Sequence, residues 1–349
     1  MKNIGIITLY GYTNYGNRLQ NYAVQELLKR YGYETETLVT QKNLKPILKQ
    51  VLMQFKAISG NVDAKRYLKL KSFSNKYIPI RKIYTRNMEI SEKYAKQYDY
   101  FVVGSDQVWN PLIRKNERNN FFLKFAEKHQ RLCISPSFGV REIPSNEKEA
   151  YREGLNGFNN LCSREKEGVT IIKTLTSKEA ELLIDPTLAL SYDSWSQIFE
   201  TPSKKNIKKK YILNAFLGKL PEEQLRQLYS AVEQEELEII NVFKDESYSP
   251  GELLYMISNA ELICTDSFHF AAFSINFNRP FIVFRREGTF TEENMFSRLM
   301  TLLDMFKLQS REYSTLNLNN VMECDFTQSN RILTQERKKF FQYMDRLLK

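Results

Sequence analysis

A chain of 349 residues is expected to form two domains or one large one, and 42% hydrophobic with 13% aromatic side chains is enough for packed cores. Its start, Met1-Lys2-Asn3, runs directly into a strand pattern without the apolar region of a secretion signal, and no apolar run approaches the ~20 residues of a membrane span, so a cytoplasmic protein is expected. The formal net charge of +10 points to an anionic substrate or surface, and it is local: from Gln41 to Lys96 fourteen Lys or Arg stand against Asp63, Glu89 and Glu92, a surplus of eleven.

Ile4 to Leu9 reads as a strand, followed by the polar loop Tyr10 to Asn17. A helix from about Arg18 to Tyr31 carries Leu19, Tyr22, Ala23 and Leu27 on one face and ends at Gly32, and Tyr33 to Val39 is a second strand. This is the opening of an α/β domain, but the loop lacks the G-x-G-x-x-G of a dinucleotide site. In the basic segment Ile47, Leu48, Val51, Leu52, Phe55 and Ile58 recur at helical spacing, with Lys45, Lys49 and Lys56 on other faces. The plainer reading packs that stripe on the protein's own core; the sharper one lays it on anionic lipid or a lipid-linked substrate. Tyr98 to Val103, Gln130 to Ile134, Leu161-Cys162 and Leu182 to Ile184 read as further strands, ending in Gly104-Ser105-Asp106-Gln107, Ser135 to Gly139, Ser163-Arg164-Glu165 and Asp185-Pro186-Thr187. Asn146 with Glu149 reads as the cap of a helix reaching about Leu161. Four strands that end in polar or charged groups suggest a functional edge.

Thr201-Pro202-Ser203 and the lysines of 204–210 read as a linker. Tyr211 to Phe216 begins a second β/α series, with a helix from about Pro221, a strand over Leu237 to Phe243, and a capping box at Ser249 to Glu252 with proline at the first helical position. Leu262 to Cys264 is a buried strand, Thr265-Asp266-Ser267 fits a helix N-cap, Phe268 to Phe277 is helical, and Phe281 to Phe284 is a strand followed by Arg285 and Arg286. Helices over Glu292 to Leu303 and Gln335 to Leu348 close the chain. A helix N-terminus with adjacent arginines at the carboxyl edge of a parallel sheet favours an anion such as phosphate or carboxylate. The expected fold is α/β, with two Rossmann-like doubly wound domains in a GT-B-like arrangement, their carboxyl edges facing across a cleft. The expected domains are 1–200, with a basic helical insertion at about 41–96, and 201–349, with the closing helix.

The chemistry is narrowed by what is missing. Cys133, Cys162, Cys264 and Cys324 lie far apart, as buried free thiols do in a reducing compartment. With two histidines and no HExxH or CxxC, no metal is expected, and the absent G-x-S-x-G disfavours a hydrolase. His129 lies in a polar stretch and reads as exposed and inert, whereas His269 falls in the first turn after Ser267. There the helix terminus favours neutral imidazole and a bound dianion favours the charged form. It is either a structural first-turn residue or one that binds phosphate or exchanges a proton.

Several short segments, in order, carry a resemblance: Tyr15-Gly16-Asn17, GSDQVWN (104–110), SFG (137–139), SREKEG (163–168), DPTL (185–188), TDSFH (265–269), FSINFNRPF (273–281) and Ser297-Arg298. Over nearly its whole length the chain resembles the polysaccharide pyruvyl transferase family. The resemblance implies a GT-B-like fold and transfer of an enolpyruvyl group from phosphoenolpyruvate to two hydroxyls of a sugar, giving a pyruvate ketal in a surface or exopolysaccharide precursor. Phosphoenolpyruvate is then a substrate and no cofactor is needed. By motif Tyr15, Arg164 and His269 are expected as site residues, with Arg285 or Arg286 in the basic position after the strand; the donor is then expected at Tyr15, Asn17, Arg164, Ser267 and Arg285 or Arg286, with His269 as the catalytic group. Asp106 is a weaker catalytic candidate that either holds sugar hydroxyls or caps its loop, and Trp109 either stacks on the acceptor sugar or belongs to the core. One departure stands at Phe270, where the family usually has glycine; a bulky ring there could narrow the site. The expected partners are phosphoenolpyruvate, a sugar acceptor that could be lipid-diphosphate-linked, and an anionic membrane met peripherally through 41–96. No nucleic-acid module is recognisable. The rival readings are a GT-B glycosyltransferase using a nucleotide sugar and a non-catalytic polyanion- or membrane-binding protein.

Overall fold

Every apolar run anticipated as a strand overlaps one, and among the described residues all the strands pair in parallel. The computed structural model describes residues 2–42, 46–113, 115–202, 210–244, 246–286 and 290–348, of which 46–49 and 290–295 by backbone alone. The linker lysines before Lys210 and Lys45 of the basic segment lie outside them. The chain divides into two units, one of Met1–Phe55, Leu70–Ala189 and Glu336–Lys349, the other of Lys56–Lys69 and Leu190–Gln335.

In the first unit the strands are β1 (Asn3–Ile7), β2 (Glu34–Gln41), β3 (Ile80–Tyr84), β4 (Tyr100–Val103) and β5 (Arg131–Cys133), ordered β3-β2-β1-β4-β5, with a separate parallel pair β6 (Cys162–Ser163) and β7 (Glu181–Leu182). Ile4, Ile6, Phe101, Val102 and Val103 are fully buried, as strands covered on both faces must be. The helices are α1 (Tyr15–Lys29), α2 (Pro46–Ile58), α3 (Val62–Tyr77), α4 (Arg118–Phe121), α5 (Lys148–Asn156), α6 (Lys166–Thr176) and α7 (Pro186–Ala189), α2 and α3 contributing residues to both units. α1 starts three residues earlier than its apolar spacing suggests, because Asn14 caps it through its side chain and the backbone N–H of Asn17. The Asn146–Glu149 cap does not form; a short 3-10 turn (Ser145–Glu147) leads into α5 instead.

Two sequence readings need correcting here. The basic segment is not a purely helical insertion, since Ile80–Tyr84 is the edge strand β3, masked in sequence by Arg81 and Lys82 on an edge that tolerates charge. Nor is the apolar stripe of α2 part of the core: Val51, Leu52, Phe55 and Ile58 are all exposed.

The second unit holds β8 (Tyr211–Ala215), β9 (Glu238–Asn241), β10 (Leu262–Thr265) and β11 (Phe281–Val283) in the order β11-β10-β8-β9. Its helices are α8 (Tyr192–Ser196), α9 (Glu222–Ala231), α10 (Pro250–Asn259), α11 (Phe268–Asn276), α12 (Phe290–Phe306) and the start of α13 (Thr327–Leu348). The Ser249–Glu252 capping box forms with both of its reciprocal bonds, and Pro250 opens α10. The unit boundary falls at 189/190 rather than 200/201, and most of α13 belongs to the first unit rather than the second. Its buried face explains why: Phe340, Tyr343 and Met344 are excluded from solvent, the Tyr343 hydroxyl donates to the Cys133 carbonyl at 3.1 Å, and Tyr31 donates to Asp345 at 2.8 Å. No helix among the described residues is long and apolar enough to cross a membrane.

Candidate functional site

In an open parallel sheet the ligand crevice lies beyond the carboxyl ends of the strands, where the strand order reverses. In the first unit that point is between β1 and β4. The loops leaving these strands are joined there: the Thr8 hydroxyl donates to the Ser105 carbonyl at 3.1 Å and accepts from Gln20 Nε2 at 2.8 Å. Asp106 follows with φ at +76°, a conformation costly for a residue with a Cβ and the kind of strain that clusters at functional sites. Its Oδ2 accepts from Asn17 Nδ2 at 2.8 Å and its Oδ1 from the Gln107 backbone N–H at 2.9 Å.

Beneath Asp106 lies Arg164, with no exposed side-chain surface. Its Nη1 reaches Asp185 Oδ2 at 2.6 Å and Ser105 Oγ at 3.3 Å, and its Nη2 is 3.4 Å from Asp106 Oδ1. Asp185 also accepts from the Ser105 hydroxyl at 2.6 Å and from the backbone and hydroxyl of Thr187 at 2.9 and 2.8 Å. Burial works against the guanidinium's charge, but the carboxylates of Asp185, Asp106 and Glu165 outweigh it and raise its pKa above the ordinary arginine value. Arg164 is therefore placed to hold Asp106 and the loop ends rather than to meet a donor. The neighbouring Glu165, equally buried, accepts from the backbone N–H groups of Phe138 and Gly139 at 2.6 and 2.9 Å and from the Ser137 hydroxyl at 2.7 Å. The SFG and SREKEG motifs are thus two halves of one loop lock, and Gly139 is required there with φ at +62°. A cavity of about 450 Å³ in this unit lies at the opposite, amino-terminal edge, lined by Asn3, Tyr33, Glu34, Pro79 and Tyr98, and shares no residue with this network.

In the second unit the order reverses between β8 and β10. Asp266, which follows β10, accepts from the backbone N–H groups of Leu217 and Gly218 at 2.8 Å each, so it ties the loop after β8 to its own. Arg286, after β11, donates its Nε to Asp266 Oδ2 at 2.7 Å and its Nη2 to the Asp266 carbonyl at 3.2 Å. Gly218 makes this closeness workable, since a Cβ there would stand 3.1 Å from both Asp266 Oδ2 and Arg286 Cδ. Ser267 is the N-cap residue of α11 but makes no side-chain cap bond; Thr265 Oγ1 accepts from the Ser267 N–H at 3.0 Å instead. His269 sits in the first turn of α11, largely buried, with its ring edge-on to Phe268. Phe270 is buried edge-on against Phe243 and is taken up in packing.

The structure thus brings Asn17, Asp106 and Arg164 together in one unit, and Ser267, His269 and Arg286 at the switch point of the other. Tyr15 is buried at the start of α1. Besides Arg164, which turns to Asp185 and Asp106, two further expectations are corrected. Trp109 is 1% exposed, walled by Phe122, Phe138 and Phe158, with its indole N–H donated to the Phe121 carbonyl at 3.1 Å, so it cannot stack on a sugar. The Arg285 side chain is 65% exposed and turns to Glu312 at 2.7 Å and to the Phe296 ring, leaving Arg286 as the arginine of the site edge. The sequence reading passed over Asp185, Glu165 and Asp266 as chemistry. Their signal was a carboxylate just past a strand end.

The family model described as polysaccharide pyruvyl transferase matches residues 14–288, well over half of the chain. No curated protein matches it. Among solved structures, MurG of Acinetobacter baumannii is similar at 13% identity, with 98% of this chain and 95% of that chain covered and a TM-score of 0.46. A putative UDP-N-acetylglucosamine 2-epimerase from Listeria monocytogenes is similar at 10% identity, with 98% of each chain covered and a TM-score of 0.47. MnaA of S. aureus, solved with UDP, is similar at 15% identity, with 99% and 98% covered and a TM-score of 0.46. Likenesses at this level carry no argument about the chemistry of this chain.

Proposed function

The chain belongs to the polysaccharide pyruvyl transferase family, and from that premise we propose that it moves an enolpyruvyl group from phosphoenolpyruvate to two hydroxyls of a sugar in a surface or exopolysaccharide precursor. The observation that carries the donor reading is the switch point of the second sheet, where Arg286, clasped by Asp266, stands at the head of a helix whose N-cap hydroxyl makes no cap bond and whose first turn holds His269. A helix N-terminus with a fixed guanidinium suits a phosphate or carboxylate.

On this reading one sugar hydroxyl forms a bond to C2 and gives up its proton, the enol C3 takes a proton in exchange, and the C2–O bond to phosphate breaks. The second hydroxyl then closes on C2, and its proton leaves with phosphate. His269 supplies or receives a proton, and Asp106, strained and held by Asn17, accepts from a sugar hydroxyl. Arg164 acts through Asp106 and the loop ends. The finer form of the acceptor is a lipid-diphosphate-linked sugar met at an anionic surface, which the basic segment 41–96 favours.

Thermal shift against phosphoenolpyruvate, UDP, GDP and nucleotide sugars tests the donor. At a hundred times its dissociation constant a ligand adds about 2.7 kcal/mol of stability, a rise of several degrees. Phosphoenolpyruvate is expected to give that rise and the nucleotides none; the reverse pattern would identify a nucleotide-sugar transferase.

A further inference from the structure

α2 is amphipathic in the wrong sense for a helix that belongs to a core. Gln50, Met53 and Ala57 form its half-buried side, and the Gln50 side chain bonds to Lys71. The opposite side carries Val51, Leu52, Phe55 and Ile58, spaced one, four and seven residues from Val51 and therefore contiguous on the helix surface. All four are exposed, Phe55 by 68% and Ile58 by 84%. Scattered exposed apolar residues need no explanation, but a stripe of four large ones marks a surface that something covers.

The charge around the stripe selects the occupant. Lys56 is exposed on the same helix, beside Leu52 and Phe55, and the segment 41–96 carries a surplus of eleven positive charges. A second copy would bring an equally cationic segment against the first, whereas an anionic lipid surface takes up the apolar stripe and the lysines together. We propose that α2 is a membrane-docking helix that lies in the interface of an anionic bilayer, with Val51, Leu52, Phe55 and Ile58 immersed and Lys56 at the headgroups. This deepens the reading of a surface-held acceptor, but its evidence is the helix itself and does not depend on the donor.

The test is co-sedimentation of the full chain with vesicles of phosphatidylglycerol and phosphatidylcholine in equal parts, against vesicles of phosphatidylcholine alone. The protein is expected to pellet with the anionic vesicles and to be released by salt, because screening weakens the lysine attraction. Phe55→Ser with Ile58→Ser is expected to weaken partitioning roughly a hundredfold. Lys56→Glu, which leaves the stripe intact, should weaken it by about tenfold. The donor-induced thermal shift should persist in all these variants, so loss of vesicle binding and failure of the donor reading are separate results. Equal sedimentation with both vesicle types, or binding that Phe55→Ser with Ile58→Ser leaves unchanged, would overturn the proposal. So would a concentration-dependent dimer in sedimentation equilibrium that the same substitutions abolish, since the stripe would then be covered by a second copy.

Discussion

Replacing Arg164 by methionine removes a guanidinium that solvent does not reach and that bridges Asp185 and Asp106. Breaking a buried ion pair from one side costs about 3–5 kcal/mol, because the remaining charge is left in low dielectric. Here Asp185 keeps three donors, the Ser105 hydroxyl and the N–H and hydroxyl of Thr187, so the lower end, about 3 kcal/mol, applies. For a domain of this size that lowers the unfolding midpoint by roughly 6–12 °C. Removing the partner charge as well, as Arg164→Met with Asp185→Asn, should recover more than half of the loss, since no unpaired carboxylate then remains at Asp185. The assay is thermal unfolding of the four proteins of this cycle, alongside phosphoenolpyruvate titration. If Arg164→Met unfolds at the wild-type midpoint yet loses donor affinity, Arg164 touches the donor directly and its placement as a buried brace is mistaken.

Arg286→Gln should weaken phosphoenolpyruvate binding roughly tenfold or more, the loss expected for a charge-assisted contact, while Arg285→Gln leaves it unchanged; calorimetric titration distinguishes them, and equal effects would contradict the separation of the two side chains. Trp109→Ala should cost about 3–5 kcal/mol in urea unfolding, as for a large aromatic cut out of a packed core, and a stable variant defective only in acceptor use would return Trp109 to the sugar site.

Both parallel sheets were legible because buried strands are continuous apolar runs, as at Phe101 to Val103 and Leu262 to Cys264. The edge strand Ile80–Tyr84 was not, since Arg81 and Lys82 break the pattern where the sheet meets solvent. The destination of α13 was hidden for a different reason. Its amphipathic face is plain in sequence, but only tertiary contact reveals that Tyr343 reaches Cys133, more than two hundred residues away. The candidate site was half visible. Asp106, His269 and the arginine pair stand out at strand ends and a helix head, but whether a side chain faces solvent or a buried partner is a matter of packing. Arg164 reads as a ligand contact by motif, and the aromatic surface of Trp109 suits either a sugar or a core; burial gives one to Asp185 and the other to a phenylalanine cluster.

Transfer itself is the decisive observable. Wild type and His269→Gln are incubated with phosphoenolpyruvate and a lipid-linked sugar precursor, and phosphate release is followed together with ketal-linked pyruvate on the sugar by mass spectrometry. Wild type is expected to release one phosphate per ketal formed, and His269→Gln, which keeps an N–H donor but cannot titrate, to be slower by roughly 100- to 10,000-fold with its fold intact. Wild-type turnover by His269→Gln, or ketal formation from a donor other than phosphoenolpyruvate, would contradict the account.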